Sequence, residues 1–366
     1  MRICFLAPAN SAHVIKWSRY FLSRGHEVFV ISFTRNEIPG AKVFYLSTGA
    51  EGDSSDAKKL NYLLKAGTVR SLIPQIRPDI VNVHYATSYG TVAALAGLKN
   101  YVLSVWGSDI FDFPRKSPLH RAMLKYSLKK ATYLFSTSRA MAEEAAKYTD
   151  KSFEITPFGV DTALFSPEKR QRSDGDFVVG TVKSLSHDYG IDSLLKAIAL
   201  VRGEHPEIPI KVRIAGKGPD EKKLKALSVS CGLEEIVTWL GFISQEEAAR
   251  EWADFDLAVI YSRNESFGVA AVEAQACACP VIISDIPGLM EATKPGVTSL
   301  VVEKENERAL ADAIYELYQR RDLRMEMGRS GREFVQEQYE YRTCFEKIER
   351  LFAAIPQYNN QKVIKK

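Results

Sequence analysis

The sequence predicts an α/β protein of two domains, each built around a doubly wound parallel sheet. Short apolar strand signals alternate with amphipathic helix signals through both halves of the chain, which is typical of parallel sheets covered by helices. A length of 366 residues fits two domains that each bury a core. A content of 46% hydrophobic and 26% charged residues is that of an ordinary soluble globular protein.

The first half of the chain alternates between strands and helices. The strand signals are short runs dominated by Val, Ile, Leu and Phe, and the helix signals carry apolar residues at three- and four-residue spacing. The predicted strands are 2–7, 27–33, 42–46, 79–84, 101–105 and 132–136, and the predicted helices are 12–24, 57–73, 88–98, 117–130 and 138–147. Most strands are followed directly by a helix, as in a doubly wound sheet.

The second half repeats this scheme. Its predicted strands, with helices between them, are 176–182, 209–215, 235–239, 256–261, 280–283 and 299–302. From Glu305 to Ala354 the pattern is helical. The segment Ser166–Asp176 is polar and rich in helix breakers, so we expect it to link the two domains. Because ligands of doubly wound sheets bind beyond the carboxyl ends of strands, functional residues are expected in the loops there.

Positive charge is concentrated in the first half. Residues 1–166 carry 21 Lys and Arg against 13 Asp and Glu, whereas the other 200 residues carry 28 against 32. The excess centres on 115–130, which is predicted to form a basic amphipathic helix. Its apolar positions, which recur at helical spacing, are Leu119, Met123, Leu124 and Leu128.

This basic helix has two interpretations. It is either a solvated helix face or a surface that binds an anionic membrane or a lipid-diphosphate acceptor. Nucleic acid is not an expected partner, because the net charge is only +4 and no recognition module is visible.

The sequence indicates a cytoplasmic, reduced protein. No apolar run reaches the ~20 residues that span a bilayer, and the N-terminus lacks a signal-peptide pattern. The five cysteines are scattered without metal-ligand spacing, and we interpret Cys277 and Cys279 as small buried residues. If the helix at 115–130 contacts lipid, the protein binds peripherally to the inner face of the membrane.

The segment 263–273 predicts a ligand site. It follows the predicted strand 256–261, placing Glu265 in the loop before a helix and Glu273 inside that helix. At ~1.5 Å of rise per residue, the two acids would lie roughly 12 Å apart along the axis. That is about the span from the sugar to the ribose of a nucleotide sugar.

The start of this helix predicts an anion site between the two acids. The first N–H groups of a helix have no intrahelical partner, so those near Ser266, Phe267 and Gly268 are available to a diphosphate. The spacing of acids and amides therefore suggests a sugar-nucleotide site.

The segment Arg263–Glu273 resembles the Glu-x7-Glu signature of retaining GT-B glycosyltransferases of family 4. Further segments resemble the same family in the same order, over roughly residues 1–340. They are Arg24–Val28, Trp106–Asp109, Thr156–Asp161, Phe165–Pro167, Gly180–Lys183, Ala215–Pro219 and Pro280–Gly288. Each segment alone is weakly specific, whereas their joint order and spacing is specific.

The resemblance implies the GT-B architecture, in which two Rossmann-like doubly wound domains face a central cleft. It implies an acceptor-binding domain at 1–166 and a nucleotide-sugar-binding domain at 167–340. In the family, the last helix crosses back to the N-terminal domain. Residues 341–366 are expected to supply that helix and a basic tail.

The resemblance also assigns donor roles. Glu273 is expected to bind the ribose hydroxyls and Glu265 those of the donor sugar, since a carboxylate accepts from vicinal hydroxyls. The Arg and Lys with which the family usually binds the diphosphate align here with Thr181 and Tyr189. Lys183 is the only Lys or Arg in the loop 180–190, and we expect it to stabilise the diphosphate. Lys183 and Glu265 are both expected to be catalytic residues.

Two more loops are expected to contact the donor. Lys217 is predicted to flank the nucleotide, and Gly216 beside it lets the backbone approach the base or ribose closely. Glu291 is predicted to close the donor loop that starts at Ser284, where the family's Gly-Gly is reduced to Pro287-Gly288.

The acceptor side departs from the family pattern. The family's histidine is replaced by Trp106, while Asp109 remains in a loop after a strand as a catalytic candidate. His84, at another strand end, is either a second catalytic candidate or a satisfied strand-end histidine. In the first βα turn, the residues expected near the phosphates or the acceptor are Asn10, Ser11 and His13.

The expected function is transfer of a sugar, with retention, from a nucleotide sugar to a saccharide or lipid-linked acceptor in polysaccharide or glycolipid assembly. No Asp-x-Asp pair follows a strand and the family generally needs no divalent cation, so neither a metal nor another cofactor is expected. Two alternatives stay open, a sugar-nucleotide-binding protein without transfer activity and a GT-B sugar-nucleotide epimerase. A nicotinamide dehydrogenase is disfavoured, because no Gly-x-Gly-x-x-Gly follows the first strand.

Overall fold

A computed structural model describes residues 1–47, 60–171 and 175–356. The chain divides into two compact units: Met1–Phe158 with the chain from Cys344 onward, and Gly159–Thr343. The sequence prediction puts the same transitions at 166/167 and 340/341. The predicted basic tail, 357–366, and the middle of the predicted linker, 172–174, lie outside the described residues.

The first unit is a seven-stranded parallel sheet in the order β3-β2-β1-β4-β5-β6-β7. Its strands are β1 (Arg2–Leu6), β2 (Glu27–Ser32), β3 (Lys42–Tyr45), β4 (Ile80–His84), β5 (Val102–Val105), β6 (Tyr133–Ser136) and β7 (Phe153–Ile155). Its helices are α1 (Ala12–Ser23), α2 (Ala66–Ile76), α3 (Ser88–Leu95), α4 (Ser108–Phe111), α5 (Pro118–Lys130) and α6 (Arg139–Ala145), and its 3-10 turns are Leu60–Lys65 and Phe113–Arg115.

Two elements of this unit differ from prediction. The helix predicted at 57–73 is a 3-10 turn over Leu60–Lys65, followed by α2, and its first residues lie outside the described chain. Strand β7 was not predicted, because its three residues carry no run of buried apolar side chains. It pairs with β6 at the edge of the sheet.

The core of the first unit explains why β1 is central. From Ile3 to Leu6 every side chain is fully buried. Alternate side chains of a strand point to opposite faces, so burial of all four requires cover on both faces, as in a parallel sheet. On one face, the rings of Trp17 and Phe21 from α1 lie 5.9 and 6.0 Å from that of Phe5.

The second unit is a six-stranded parallel sheet in the order β10-β9-β8-β11-β12-β13. Its strands, all of them predicted, are β8 (Phe177–Val182), β9 (Ile210–Ala215), β10 (Val237–Gly241), β11 (Leu257–Ile260), β12 (Val281–Ser284) and β13 (Ser299–Val302). Its helices are α7 (Ile191–Glu204), α8 (Glu221–Ser230), α9 (Gln245–Asp254), α10 (Val269–Ala276), α11 (Pro287–Ala292), α12 (Glu307–Gln319) and α13 (Arg321–Gln338). The predicted class, α/β with doubly wound parallel sheets, is confirmed.

The strand order fixes where ligands can bind in each unit. The direction of winding reverses between β1 and β4 in the first sheet and between β8 and β11 in the second. In doubly wound sheets, the crevice at such a reversal, beyond the carboxyl ends of the strands, is the binding site. Ligands are therefore expected at the loops after these four strands.

The final helix, α14 (Tyr341–Ala354), belongs to both units in sequence, since Tyr341–Thr343 group with the second and Cys344 onward with the first. Within the part of the chain that is described, no helix combines the length and the apolar character needed to cross a membrane. All five cysteines are free, and burial raises the pKa of the Cys277 and Cys279 thiols.

Candidate active site

Lys183 lies directly after β8 and meets two partners. Its Nζ contacts a carboxylate oxygen of Glu265, in the loop after β11, and lies 4.3 Å from the centre of the Tyr189 ring. The side chains of Lys183 and Glu265 are each only 12% exposed. Because β8 and β11 are neighbours at the reversal of the sheet, their loops bring these two predicted catalytic residues into direct contact.

Arg263 fixes the loop that carries Tyr189. Its guanidinium donates to the two carboxylate oxygens of Asp192 at 2.8 and 2.9 Å and to the backbone oxygen of His187 at 2.7 Å. Burial raises the pKa of Asp192, but the hydrogen bonds and charge of Arg263 outweigh it, so that this pKa is lowered overall. Sequence reasoning missed this brace. The only local signal is an arginine in the loop after a buried strand, and this signal does not identify Asp192 as its partner.

Two glycines let the loop after β9 approach the loop after β8. A Cβ atom on Gly216, whose φ is +135°, would lie 1.8 Å from the backbone oxygen of Lys183. A Cβ on Gly218 would lie 2.2 Å from the backbone oxygen of Leu185. This close approach brings Lys217, between the two glycines, to the same cavity as Lys183.

A cavity of about 390 Å³ lies against these loops. The residues that line it are Val182, Lys183, Ser184, Gly216, Lys217, Phe242, Ile243, Val269, Ala270 and Glu273. Glu273 also accepts a hydrogen bond from Nε1 of Trp252 at 3.3 Å. From the described residues, the cavity thus gathers two lysines, one carboxylate and the first turn of α10.

The helix α10 begins later than the sequence prediction assumed. It starts at Val269, after Gly268 with a φ of +92°, so residues 265–268 are not helical and the ~12 Å axial estimate for the two acids does not hold. Val269 and Ala270, in the first turn, line the cavity. The ring of Phe267 is buried and packs 5.2 Å from that of Tyr339.

Helix α11 supports the loop of Glu265 through Gly288. A Cβ on Gly288 would lie 2.3 Å from the backbone oxygen of Glu265 and 3.0 Å from the carbonyl carbon of Ser266. Glu291, on the same helix, accepts a bond at its backbone oxygen from the Tyr339 hydroxyl at 2.8 Å. Glu291 is not among the described residues that line the cavity, and its role in closing the donor loop stays a prediction.

Phe242 is a cavity residue that sequence reasoning missed. It follows β10 directly, lines the cavity, and is 78% exposed. A large exposed ring at the carboxyl edge of a parallel sheet offers a flat apolar surface for a ligand. Its position directly after a strand is the signal that would have found it.

Asp109 in the first unit is a buried brace between two loops. One of its oxygens accepts from the amides of Trp106 and Gly107 at 3.1 and 2.8 Å, and the other from the amide of Ala86 at 2.8 Å. Burial raises the pKa of Asp109, although these backbone bonds oppose the shift. Its carboxylate thus ties the loop after β5 to the loop after β4. Its predicted catalytic role stays a prediction.

His84, at the end of β4, is fully buried among aromatic rings. Its ring centre lies 4.2 Å from that of Trp106 and 5.0 Å from that of Trp17, and neither ring nitrogen has a hydrogen-bond partner among the described residues. Burial, and then the nearby His13, lower its pKa well below the usual value. In this arrangement His84 is a neutral core side chain, and its catalytic role stays a prediction.

The first βα turn carries the three other predicted residues. Asn10 is exposed and Ser11 precedes α1. The His13 ring stacks on Phe158, with centres 3.8 Å apart, and burial followed by the charge of Lys16 lowers its pKa to about 4. His13 is therefore neutral at neutral pH. The contacts of Asn10, Ser11 and His13 with the phosphates or the acceptor stay predictions.

The cavity of the second unit has the chemistry of a site for a phosphorylated polyhydroxy compound. Lys183, Lys217 and the first turn of α10 supply positive potential for an anion. Glu273 in the wall of the cavity, and Glu265 in contact with Lys183, supply acceptors for hydroxyl groups.

Two family models match the chain, one in each half. The model described as "Glycosyl transferase 4-like" matches residues 2–138, and "Glycosyl transferases group 1" matches residues 164–334. These matches extend over most of both units.

Curated relatives carry glycosyltransferase names. The chain is 29% identical over 321 residues to a D-inositol 3-phosphate glycosyltransferase of Arthrobacter sp. (strain FB24), covering 79% of this chain and 74% of that protein. It is 30% identical over 212 residues to a GDP-mannose-dependent alpha-(1-6)-phosphatidylinositol monomannoside mannosyltransferase of Mycobacterium tuberculosis, covering 54% of each.

Solved structures share the whole fold. Sucrose-phosphate synthase from Thermosynechococcus elongatus has a TM-score of 0.83 at 18% identity and covers 96% of this chain and 98% of its own. Anabaena Alr3699/HepE, in complex with UDP and glucose, has a TM-score of 0.79 at 19% identity and covers 97% of this chain and all of its own. These likenesses confirm the GT-B fold. With the family matches in both halves, the chain belongs to the family 4 glycosyltransferases of GT-B fold, which are enzymes that transfer sugars.

Proposed function

We propose that this enzyme is a retaining, metal-independent glycosyltransferase that moves a sugar from a nucleotide sugar to a saccharide or lipid-linked acceptor. The observation that carries the proposal is the cavity of the second unit. It combines Lys183 and Lys217 with Glu273 and the first turn of α10. The solved relative with UDP and glucose and the curated relative named for GDP-mannose support a nucleotide sugar as donor.

The proposed roles follow the charge that develops in transfer. As the bond between the anomeric carbon and the diphosphate breaks, negative charge grows on the diphosphate. Lys183, with Lys217 and the helix start, would stabilise this charge. Glu265, in contact with Lys183, would accept hydroxyls of the donor sugar, and Glu273 those of the ribose.

Retention is supported by the resemblance of 263–273 to the family signature. In a front-face displacement the departing phosphate takes the acceptor proton. Such a step needs no histidine base, in keeping with Trp106 at the position of the family's histidine. Determining the anomeric configuration of the product by NMR tests this part of the proposal.

Metal independence is supported by the two lysines, which would balance the diphosphate in place of a divalent cation. Nowhere in 1–47, 60–171 or 175–356 do three or more His, Cys, Asp or Glu side chains form a group able to hold a metal ion. We propose that no other cofactor takes part.

The acceptor is proposed to bind to the first unit, in polysaccharide or glycolipid assembly. The curated relative named for phosphatidylinositol monomannoside supports a lipid-linked acceptor. The basic residues of 115–130 support peripheral binding to an anionic membrane, since their side chains are largely exposed.

The first experiment is a thermal-shift screen of the full chain against UDP-, GDP-, ADP- and dTDP-sugars, with EDTA present throughout. A ligand that binds only the folded state raises the unfolding temperature. We expect one nucleotide to stabilise the wild type and Glu273→Gln to remove the shift. The matched control is Glu246→Gln, at an exposed position of α9, which should leave the shift unchanged.

The nucleotide sugar that stabilises the protein is then used as the donor in transfer assays. Transfer to an acceptor supports the proposal, whereas donor binding without turnover identifies a binding protein. Interconversion of the donor sugar without an acceptor identifies an epimerase. If no nucleotide sugar shifts the wild type, the proposed donor site is wrong.

A further inference from the structure

A second cavity, of about 490 Å³, is lined entirely by residues of the first unit. Its wall is formed by the loops after β1, β2 and β4, the starts of α3 and α4, the 3-10 turn Leu60–Lys65, and α5 with the turn before it. Its volume falls within the ~300–1,000 Å³ of small-molecule sites.

The wall of this cavity is mainly apolar. Its largest apolar and aromatic contributors are Tyr62, Leu63, Tyr89, Phe113, Leu119 and Met123. Its polar groups are hydroxyls and the His120 ring. Among the described residues no carboxylate, amide side chain, lysine or arginine lines it. Such a surface lacks the carboxylate, amide and guanidinium groups that bind pairs of sugar hydroxyls, and it gains free energy by covering hydrocarbon.

The aromatic rings of the wall are held in place. The Phe33 ring lies 4.5 Å from that of Tyr62 and 4.7 Å from that of Tyr89. The Tyr89 hydroxyl accepts from the amide of Phe33 at 3.1 Å. The cavity is thus a preformed space whose shape does not depend on a ligand to order these rings.

An apolar strip leads out of the cavity along α5. Leu119 and Met123, one turn apart, both line the cavity, and Leu119 is 68% exposed. Tyr126, a turn further on, is also partly exposed. A ligand chain that lies in the cavity would therefore cover apolar surface that water otherwise contacts.

Basic side chains surround this strip. From Phe113 to Lys130 the chain has no acidic residue. Arg121, Lys125 and Lys129 are exposed, and none pairs with a carboxylate within the described parts of the chain. A surface of this charge attracts anionic lipid head groups, whereas it would repel a second copy of the same face.

We infer that this cavity binds the hydrocarbon chain of an anionic lipid, whose head group lies among the basic side chains of α5. Binding to a membrane surface alone would need only exposed apolar side chains, whereas here the strip leads into a recessed, mainly apolar cavity. The inference rests on the proposed function in one respect: it makes the acceptor of the transfer a lipid-linked one rather than a free saccharide.

The test measures binding of a soluble probe, dioctanoyl phosphatidylglycerol, to the full chain by isothermal titration calorimetry. Saturable binding with a negative heat-capacity change is expected, since apolar surface is buried. Dioctanoyl phosphatidylcholine, which has the same chains without net charge, should bind about tenfold more weakly. Glycerol 3-phosphate, which has no chain, should not bind measurably.

Variants separate the cavity from the charged surface. Met123→Asp puts a carboxylate in the wall, and Leu119→Asn changes an exposed residue that folding does not require. Each variant should lower the affinity for the probe about tenfold or more. The double variant Lys125→Gln with Lys129→Gln should do the same. The controls are Met325→Asn, at a residue of the second unit that is 64% exposed, and Lys222→Gln, and both should bind as the wild type does.

The outcomes distinguish the cavity from simpler explanations. If the lysine changes abolish binding but Leu119→Asn and Met123→Asp do not, only an electrostatic surface exists and the inference is wrong. Equal binding of glycerol 3-phosphate, or no binding of the probe, overturns it as well. The donor thermal shift, measured on the same samples, reports the proposed function separately. If the protein binds the lipid probe but no nucleotide sugar raises its unfolding temperature, the lipid cavity is supported and the proposed function is wrong.

The acceptor role has its own readout. When transfer is measured, dioctanoyl phosphatidylglycerol should inhibit it by competing with the acceptor, while the KM for the nucleotide sugar stays unchanged. Probe binding without such inhibition would contradict the lipid-linked acceptor.

Discussion

The Lys183 side chain lies against an aromatic ring, and this ring stands at a position where the family pattern has a second cation. The family's lysine position is Tyr189 here, and the Lys183 ammonium lies 4.3 Å from the centre of that ring. A cation over an aromatic face contributes about 0.5–2 kcal/mol, more when the pair is shielded from water. Tyr189 thus does not replace the missing charge but orients the charge that remains.

We predict that Tyr189→Leu lowers kcat/KM about threefold to thirtyfold, because the ammonium loses the ring that orients it. Tyr189→Phe keeps the ring and should retain near-wild-type activity. Steady-state kinetics with the donor found in the thermal-shift screen provide the measurement. The loss should fall mainly on kcat, since the charge on the diphosphate grows in the transition state. Equal losses in the Phe and Leu variants would contradict the role of the ring.

The carboxylate of Asp109 holds two loops of the first unit together. It accepts three backbone hydrogen bonds in a buried site, and an amide has only one acceptor oxygen to replace its two. Asp109→Asn should therefore lower the free energy of unfolding by about 2–4 kcal/mol, as measured by urea denaturation. The control Asp150→Asn, at an exposed position of the same unit, should change it by less than about 0.5 kcal/mol. An unchanged stability together with lost activity would favour a direct catalytic role.

Residue types in the site were predictable from sequence, but their contacts were not. Lys183, Glu265 and Glu273 stand out because they lie in loops after strands or within the helix that follows, in a recognisable order. The Lys183–Glu265 pair joins residues 82 positions apart, so no local pattern reveals it. The brace formed by Arg263 escaped prediction for the same reason.

At the scale of elements, the loops after the strands depend on glycines that permit close backbone approach. Gly216→Ala would put a methyl group 1.8 Å from the backbone oxygen of Lys183, at a φ of +135°. We predict a loss of about 2–4 kcal/mol in the free energy of unfolding and a weaker donor thermal shift. In Gly203→Ala, on α7, the methyl meets no atom within 4 Å, and the helix should gain about 0.5–1 kcal/mol. A Gly216→Ala variant as stable as the wild type would show that the loop can shift at little cost.

Strands were found where the sequence carries a run rich in apolar residues. In the second sheet, β11 and β12 are buried throughout, β9 mixes buried with half-buried residues, and β10 and β13 are only partly buried. The edge strand β7 has no such run, and the helix predicted at 57–73 begins as a 3-10 turn. The start of α10 was predicted too early, because Gly268 takes a left-handed conformation that the neighbouring residues do not predict.

At the scale of the whole molecule, both sheets share one topological feature. Each reverses its winding between its first strand and a later one, β4 in the first unit and β11 in the second. The alternation of strands and helices predicts this order in general terms. It does not predict which loop residues meet, because that depends on the register and bending of each loop.

The last helix ties the end of the chain to its beginning. Glu349 on α14 accepts from the Tyr20 hydroxyl at 3.1 Å and from Nε of Arg24 at 3.2 Å, and it lies 2.7 Å from Nε2 of His26. Burial raises the pKa of Glu349, but the hydrogen bonds from His26 and Tyr20 and the charge of Arg24 outweigh it, so that this pKa is lowered overall.

A carboxyl group with a lowered pKa stabilises the folded state only while it is ionised. The contribution of Glu349 should be complete above the ordinary glutamate value of about 4.3 and should vanish as the pH falls through its lower folded-state pKa. We therefore predict that Glu349→Gln lowers the free energy of unfolding by about 1 kcal/mol at pH 7, and that this difference shrinks below about pH 4. Urea denaturation over this pH range provides the measurement, with Glu346→Gln, exposed on the same helix, as the control. A difference that is constant with pH would mean that the side chain stabilises the helix by packing and not by its charge.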